Sequence, residues 1–256
     1  MTPVPADEHL VLLHGFTQTH RHWHHTASLI TKAITPPPRL TFVDLAGHGL
    51  SSDDRPADIV ELAGPVIELA GPGTYVGYSM GGRVALTAAV QHPGSIKRLV
   101  VIGATAGLDT PDERHQRIAH DDALANQVVA EGVDAFLDRW LTAPLFAGLP
   151  PDPTGDIERR RNTEAGLAHS LRSYGTGTMT PLWDRLGEVE IPVLVLAGEH
   201  DNKFTALGQR LAQHLPSATF DTIADAGHAA HLEQPVATAT RIVTWLTTTA
   251  RGSSQR

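Results

Sequence analysis

Short apolar runs return along this chain with turn residues between them. Leu10-Val-Leu-Leu13, Leu40-Thr-Phe-Val43, Leu99-Val-Val-Ile102 and Val193-Leu-Val-Leu-Ala197 are continuous, brief and rich in β-branched side chains. That pattern predicts strands buried on both faces, as in a parallel sheet. Gly73-Thr-Tyr-Val76 reads the same way, and Ala218-Thr-Phe-Asp-Thr-Ile223 is a further, more alternating strand. Helix-compatible stretches separate most of these runs. Strands alternating with helices predict an α/β fold, a mostly parallel sheet flanked by helices on both sides.

From about residue 107 to residue 186 the pattern changes. The stretch is richer in charge, helix-compatible and without a clear strand. It predicts a helical cap inserted into a core made of residues 1–106 and 187–256. Within it, Gly148-Leu-Pro-Pro-Asp-Pro-Thr-Gly155 predicts a loop between cap helices. The Thr/Ser-rich tail from Thr247 predicts a frayed end.

Composition narrows the partners. With 256 residues, 41% of them hydrophobic, the chain can bury a sizeable core. A net charge of −8 without a long Lys/Arg stripe argues against nucleic acid. Cysteine is absent, so disulfides and thiolate metal sites are excluded and a cytoplasmic location is expected. Met1-Thr-Pro-Val-Pro-Ala-Asp7 has no basic or apolar leader region, and no apolar run approaches the ~18 residues of a membrane span. A monomeric state is left open. His20, His22, His24 and His25 surround Trp23, but no carboxylate or thiolate pattern joins them. They read as a solvated helix start; no metal and no cofactor are expected.

The chemistry concentrates in Gly77-Tyr-Ser-Met-Gly-Gly-Arg83. G-x-S-x-G between a strand and a helix is a nucleophile elbow, a sharp turn that small residues allow to close on itself. Ser79 is the candidate nucleophile. Serine needs an imidazole to take its proton and a carboxylate to orient that imidazole. Asp201, in Gly198-Glu-His-Asp-Asn-Lys-Phe204, follows a strand and is the candidate acid; Glu199 competes, and Asp221 and Asp225 are weaker. His228, in Asp225-Ala-Gly-His228, is the candidate base, with His231 one helical turn on as the alternative. The oxyanion donors are expected to be the backbone N–H groups of Met80 and of Phe16 in His14-Gly-Phe-Thr17.

Leu13-His-Gly-Phe16, Asp44-Leu-Ala-Gly-His-Gly-Leu-Ser51, the elbow and Ala226-Gly-His228 resemble the motifs of the α/β-hydrolase superfamily over nearly the whole chain. Ala46 stands where proline is usual. A narrower set is similar to the 2-succinyl-6-hydroxy-2,4-cyclohexadiene-1-carboxylate synthases, lyases of menaquinone biosynthesis. It comprises Gly77–Arg83, Gly198-Glu-x-Asp-x-Lys-Phe204, Ala226-Gly-His-x-Ala-His-x-Glu-x-Pro235, Gly166-Leu-Ala-His-Ser-Leu-Arg172, Gly175-Thr-Gly177, Pro181-Leu-Trp183, and Trp140 ahead of Pro144-Leu-Phe146. This resemblance implies elimination of pyruvate from an enolpyruvyl cyclohexene that carries three carboxylates. It implies Arg83, Arg117 and Arg159 as substrate-binding groups, with Tyr78 and Trp140 as an aromatic wall. Guanidinium suits such a small polycarboxylate because it keeps its charge and pairs bidentately. Arg114, Arg160 and Arg161 are neighbouring alternatives. The same triad is also compatible with a carboxylesterase or a carbon–carbon bond hydrolase, and the fold with a noncatalytic ligand-binding protein.

Overall fold

All five residues of His9–Leu13 are buried, and Leu10 to Leu13 alternate between two cores. In this computed structural model, which describes residues 2–3 and 8–253, that segment is β1. It lies inside a six-stranded sheet with β2 (Arg39–Val43), β3 (Gly73–Tyr78), β4 (Ile96–Ile102), β5 (Val193–Gly198) and β6 (Ala218–Ile223). The strand order is β2-β1-β3-β4-β5-β6, and every pair is parallel. The helices are α1 (His24–Ala33), α2 (Ile59–Ala70), α3 (Met80–Gln91), α4 (Pro111–Trp140), α5 (Pro153–Arg159), α6 (Glu164–Tyr174), α7 (Asn202–His214), α8 (Ala230–Glu233) and α9 (Pro235–Ser253). This is the α/β architecture the hydrophobic pattern predicts.

Leu10 and Leu12 join Val76, Val100 and Leu194 in a core closed by α1 and α9. Val11 and Leu13 join Tyr75, Leu99 and Val101 in a second core closed by α2, α3 and α7. Each such side chain, fully withdrawn from water, contributes roughly 1.5–3 kcal/mol. Two expectations are corrected here. Leu40–Val43 is not buried on both faces, because β2 pairs on one side only, and three of these four residues are half-exposed. The tail from Thr247 continues α9 to Ser253, and residues 254–256 of that expected frayed end lie outside the described residues. Its threonine hydroxyls donate to carbonyls three or four residues back, Thr247 Oγ1 to Val243 O at 3.0 Å and Thr249 Oγ1 to Trp245 O at 2.9 Å.

Between β4 and β5 the described chain forms helices and turns, with no strand. Thr110 caps α4 through a reciprocal pair with Glu113, and Pro111 occupies the first turn, where its missing N–H leaves nothing unpaired. Gly132, at φ 82°, kinks the helix. Helices α4 and α6 bury Ala125, Val128, Phe136, Leu137, Leu167 and Leu171 against one another. The Pro/Gly cluster read as a loop becomes helical at Pro153, where Asp152 accepts from Gly155 N. The layer rests on the core at a glycine pair. A Cβ on Gly166 would stand 2.3 Å from the carbonyl oxygen of Gly47, which itself has φ 82°.

Buried histidines hold the loops that leave β1 and β2. Leu45 N donates to His14 Nε2 (3.0 Å), so the His14 proton sits on Nδ1, which donates to Gly15 O (2.8 Å). Thr17 N donates to His48 Nε2 (3.4 Å), so the His48 proton sits on Nδ1, toward Ala46 O (3.2 Å). Both rings are neutral, because burial pushes the pKa of His14 down to about 4 and that of His48 to about 3.

Gly166→Ala should therefore lift the helical layer, lowering the unfolding free energy by about 1–3 kcal/mol. Denaturant titration checks this, and an unchanged midpoint would show that the glycine contact is not close. The histidines set a pH dependence. Their folded values lie below the ordinary 6.5, so unfolding takes up protons once the pH falls below about 6.5. Stability is complete above that value and declines as the pH drops toward about 4, by at most about 1.4 kcal/mol per unit for each ring. Urea midpoints measured from pH 7.5 to 5 should fall. His48→Gln, which keeps an acceptor for Thr17 N, should flatten the decline.

Candidate active site

The strand order reverses at β1, whose successor β2 lies on one side and β3 on the other. Loops leaving the carboxyl ends of such strands diverge and leave a crevice. Leu13 pairs with Gly77 across this point, so the loop after β1 and the turn after β3 face each other.

The turn after β3 places Ser79 at φ 49° and ψ −106°, ahead of the first residue of α3. A Cβ at Gly77 would lie 2.4 Å from Gly81 O, and one at Gly81 would lie 2.3 Å from Leu13 O. Small residues two before and two after the serine are thus obligatory. The first N–H groups of α3, Met80 included, have no acceptor within the helix. Phe16, Ser79 and Met80 together line a cavity of about 180 Å³.

His228 Nε2 stands 3.2 Å from Ser79 Oγ, and its Nδ1 stands 2.7 Å from Asp201 Oδ2. Asp201 also caps α7, accepting from Phe204 N on its other oxygen at 3.2 Å. The segment after β5 is joined by backbone bonds to the end of β6 and to the segment that follows it, Glu199 N to Ile223 O (2.9 Å) and His200 N to Ala226 O (2.8 Å). Glu233 accepts from Gly227 N at 2.7 Å and from Ala229 N at 2.9 Å, bracing both neighbours of His228. Glu233 stands in the Ala226–Pro235 motif, where its place three residues after Ala230 carries no local sign of this bracing role. The competitors sit elsewhere. Glu199 is exposed and accepts from Asp225 N, and Asp221 pairs with Arg241. His231 is enclosed between Trp23 and Tyr78, with ring centroids 4.4 Å from each.

The same cavity receives Arg83, Arg117, Tyr78 and Trp140, together with Phe146, Lys203 and Phe204. Arg83 is buried, and its Nη1 donates to Tyr174 O at 2.5 Å. Burial, and then the nearby Arg117, lower its pKa to about 10, so it stays charged at neutral pH. Arg117 donates through Nε to both oxygens of the buried Asp121 at 2.8 and 2.9 Å. The i, i+4 spacing of this pair on α4 was available in the sequence. Burial raises the pKa of Asp121, against the pull of Arg117. Burial likewise raises that of the Tyr78 hydroxyl. Trp140 packs edge-on against Phe16 and flat on Phe136.

Arg159 lies apart. It lines a neighbouring cavity of about 740 Å³ with His22, His231, Asp152, Asp156 and Glu233, and Phe146 borders both spaces. Its Nη1 donates to Thr17 Oγ1 at 2.7 Å, and burial lowers its pKa to about 10. Arg83 and Arg117 thus line the cavity of Ser79, and Arg159 lines the adjoining one while acting on the Tyr78 hydroxyl. Arg160 pairs with Asp134, Asp138 and Asp156, Arg161 with Glu158, and Arg114 with backbone carbonyls. The histidine cluster near Trp23 is also corrected. His22 and Trp23 are buried, and His20 bonds Asp44 at 2.8 Å, while His24 and His25 are solvated. The apolar side of the short helical turn His20–Trp23 packs inward, which pulls His22 in with it.

The profile described as the Alpha/beta hydrolase family matches residues 10–241. A Klebsiella pneumoniae protein named 2-succinyl-6-hydroxy-2,4-cyclohexadiene-1-carboxylate synthase is 32% identical, over 91% of this chain and 91% of its own length. An Escherichia coli protein of the same name is 34% identical over 88% of each chain. The solved structure of MenH from S. aureus, 30% identical, superposes with a TM-score of 0.86 over 93% of both chains. An esterase from Thermogutta terrifontis shares the fold at 22% identity and a TM-score of 0.75. No helix among the described residues is long and apolar enough to cross a membrane. The chain belongs to the alpha/beta hydrolase family, as an enzyme related over nearly its whole length to the synthases of menaquinone synthesis.

Proposed function

We propose that the protein is a carbon–oxygen lyase that eliminates pyruvate from a 5-enolpyruvyl-2-succinyl-hydroxycyclohexene carboxylate, giving 2-succinyl-6-hydroxy-2,4-cyclohexadiene-1-carboxylate. One observation carries the reading beyond the names of the relatives. The cavity that contains Ser79 and His228 is lined by Arg83, Arg117 and Lys203, and by no carboxylate among the described residues. A chain of net charge −8 that reverses its sign inside one cleft is suited to an anionic substrate. A neutral ester has no use for that field.

In this mechanism Asp201 accepts from His228 Nδ1–H and fixes the tautomer, leaving Nε2 to take the proton of Ser79. The serine oxygen removes a ring proton. The C–H electron pair becomes part of the new conjugated system, and the charge that gathers on oxygen is met by the N–H groups of Phe16 and Met80. The bond from the ring to the enolpyruvyl oxygen then breaks. The enolate leaving group takes up a proton, which restores the neutral imidazole, and tautomerises to pyruvate. Arg83 and Arg117 hold carboxylates through the elimination, and Tyr78 and Trp140 wall the ring. Residues 107–186 act as a cap that keeps water from the intermediate, over a core of residues 1–106 and 187–256.

The test is pyruvate release from the enolpyruvyl compound by purified protein; cleavage of neutral esters with no pyruvate release would refute the reading. Ser79→Ala, His228→Ala and Asp201→Asn should each lower kcat by about 10²–10⁴-fold or more with thermal unfolding unchanged. Full activity in Asp201→Asn alongside loss in Glu199→Gln would move the acid. Arg83→Ala should lower kcat/KM about ten- to a hundredfold for the polycarboxylate, the loss of one charge-assisted contact. Arg83→Lys should recover part of this. Any residual cleavage of a neutral ester should be unaffected. Equal losses on both substrates would mean that Arg83 serves the fold through Tyr174.

A further inference from the structure

Thr17 is a β-branched residue held at φ 66°, where such residues are outliers. It is the third residue of a tight turn, closed by Gln18 N donating to Gly15 O at 3.1 Å. Glycine or asparagine normally fills a turn position of positive φ. Thr17 is also fully buried, and two separate segments, the loop after β2 and the end of α5 with the residues after it, take its three polar groups. Its N–H donates to His48 on the loop after β2, and its hydroxyl accepts from Arg159. Its carbonyl accepts from Asn162 Nδ2 at 2.8 Å.

Asn162 follows α5 and is itself buried. Its second Nδ2 hydrogen goes to Arg159 O at 2.9 Å, and its Oδ1 accepts from Gly49 N at 2.9 Å. One side-chain amide therefore ties the helical layer, the loop after β1 and the loop after β2. Only an amide offers two donors and an acceptor in one short plane. The residue before Thr17 is Phe16. Were Thr17 to relax to negative φ, the turn would open and the peptide groups around Phe16 would rotate.

We infer that Asn162 is a positioning residue: it holds Thr17 in its left-handed conformation and thereby aims the Phe16 N–H at the developing oxyanion. The inference rests on the role given to Phe16 under the proposed function. It makes the oxyanion site depend on the helical layer being seated on the core, because the clamp comes from that layer. Local strain of this kind persists only where the surroundings enforce it, and a displacement near 1 Å at a reacting group can slow a reaction about a hundredfold.

The test is a double-mutant cycle between Asn162→Ala and Thr17→Gly, since glycine reaches positive φ without help. Two readouts are taken. One is kcat and KM for pyruvate release. The other is the rate of phosphorylation of Ser79 by diethyl p-nitrophenyl phosphate, an uncharged probe whose phosphoryl oxygen needs the same donors and whose p-nitrophenolate is counted as it leaves. With Thr17 present, Asn162→Ala should slow both kcat and phosphorylation about ten- to a hundredfold, with KM changed less than about threefold. In the Thr17→Gly background the same substitution should slow them less than about threefold. Asn162→Asp keeps the size and the acceptor but loses both donors, and carries the same cycle if the alanine variant does not fold. Equal losses in the two backgrounds, or a rise in KM alone, would overturn the inference. If the unmodified protein phosphorylates and shows the coupling but releases no pyruvate, the lyase reading fails and the clamp stands.

Discussion

The contact on which the rest depends is the close approach of backbone to backbone where β3 turns into α3. A serine at positive φ is unfavourable for an L-residue. It is held because the elbow packs directly on its neighbours, with no room for a Cβ at Gly77 or Gly81. The pairing of β1 with β3 supplies the wall against which the elbow closes, through Leu13 O. The same pairing brings Phe16 beside Met80 in one cavity. Sheet order, elbow strain and the meeting of Phe16, Ser79 and Met80 in one cavity are thus one geometric fact seen at three scales.

The general architecture was legible because it follows from periodicity and local turn chemistry. Continuous apolar runs marked the inner strands, and Gly-x-Ser-x-Gly marked the elbow. The positions of Ser79, Asp201 and His228 at strand ends came from chain order. What the sequence did not reveal were pairings across the fold. Nothing in the local pattern of Leu40–Val43 says that β2 is an edge. Nothing near His22 says that the turn before α1 tucks it inward. Arg83, Arg117 and Arg159 look alike in sequence. They come from three different helices, α3, α4 and α5, and only the fold decides which cavity each one lines.

Bracing of the site is mostly indirect. Glu233 touches neither Ser79 nor Asp201 in the hydrogen-bond network, yet it holds the backbone on both sides of His228. His14 and His48 accept backbone N–H groups as neutral rings, so the crevice floor gains two hydrogen-bonded struts without buried charge. An ionised group there would carry a desolvation cost of several kcal/mol. Asp44, half enclosed, takes the opposite role. It gathers His20 N at 2.6 Å and Leu50 N at 2.9 Å, and these bonds hold its pKa below the usual range despite burial. The loop motif around Asp44–Ser51 therefore serves as a seat for the helical layer and a support for the loop after β1.

The sign of the charge separates the two cavities. The one at Ser79 has Arg83, Arg117 and Lys203 on its wall. The larger one sets Arg159 against Asp152, Asp156 and Glu233, and the two aspartates act to raise the Arg159 pKa while burial lowers it. For Arg83 the carboxylate that acts to raise its pKa is Asp121 on α4, both of whose oxygens already accept from Arg117. A buried guanidinium held by one carbonyl is incompletely solvated, and an arriving carboxylate replaces the water it has lost. The smaller cavity is therefore the one whose lining carries basic side chains without a carboxylate, although the larger one offers more room. The fold thus creates a deficit of negative charge and places it in the cavity that holds His228 and Ser79.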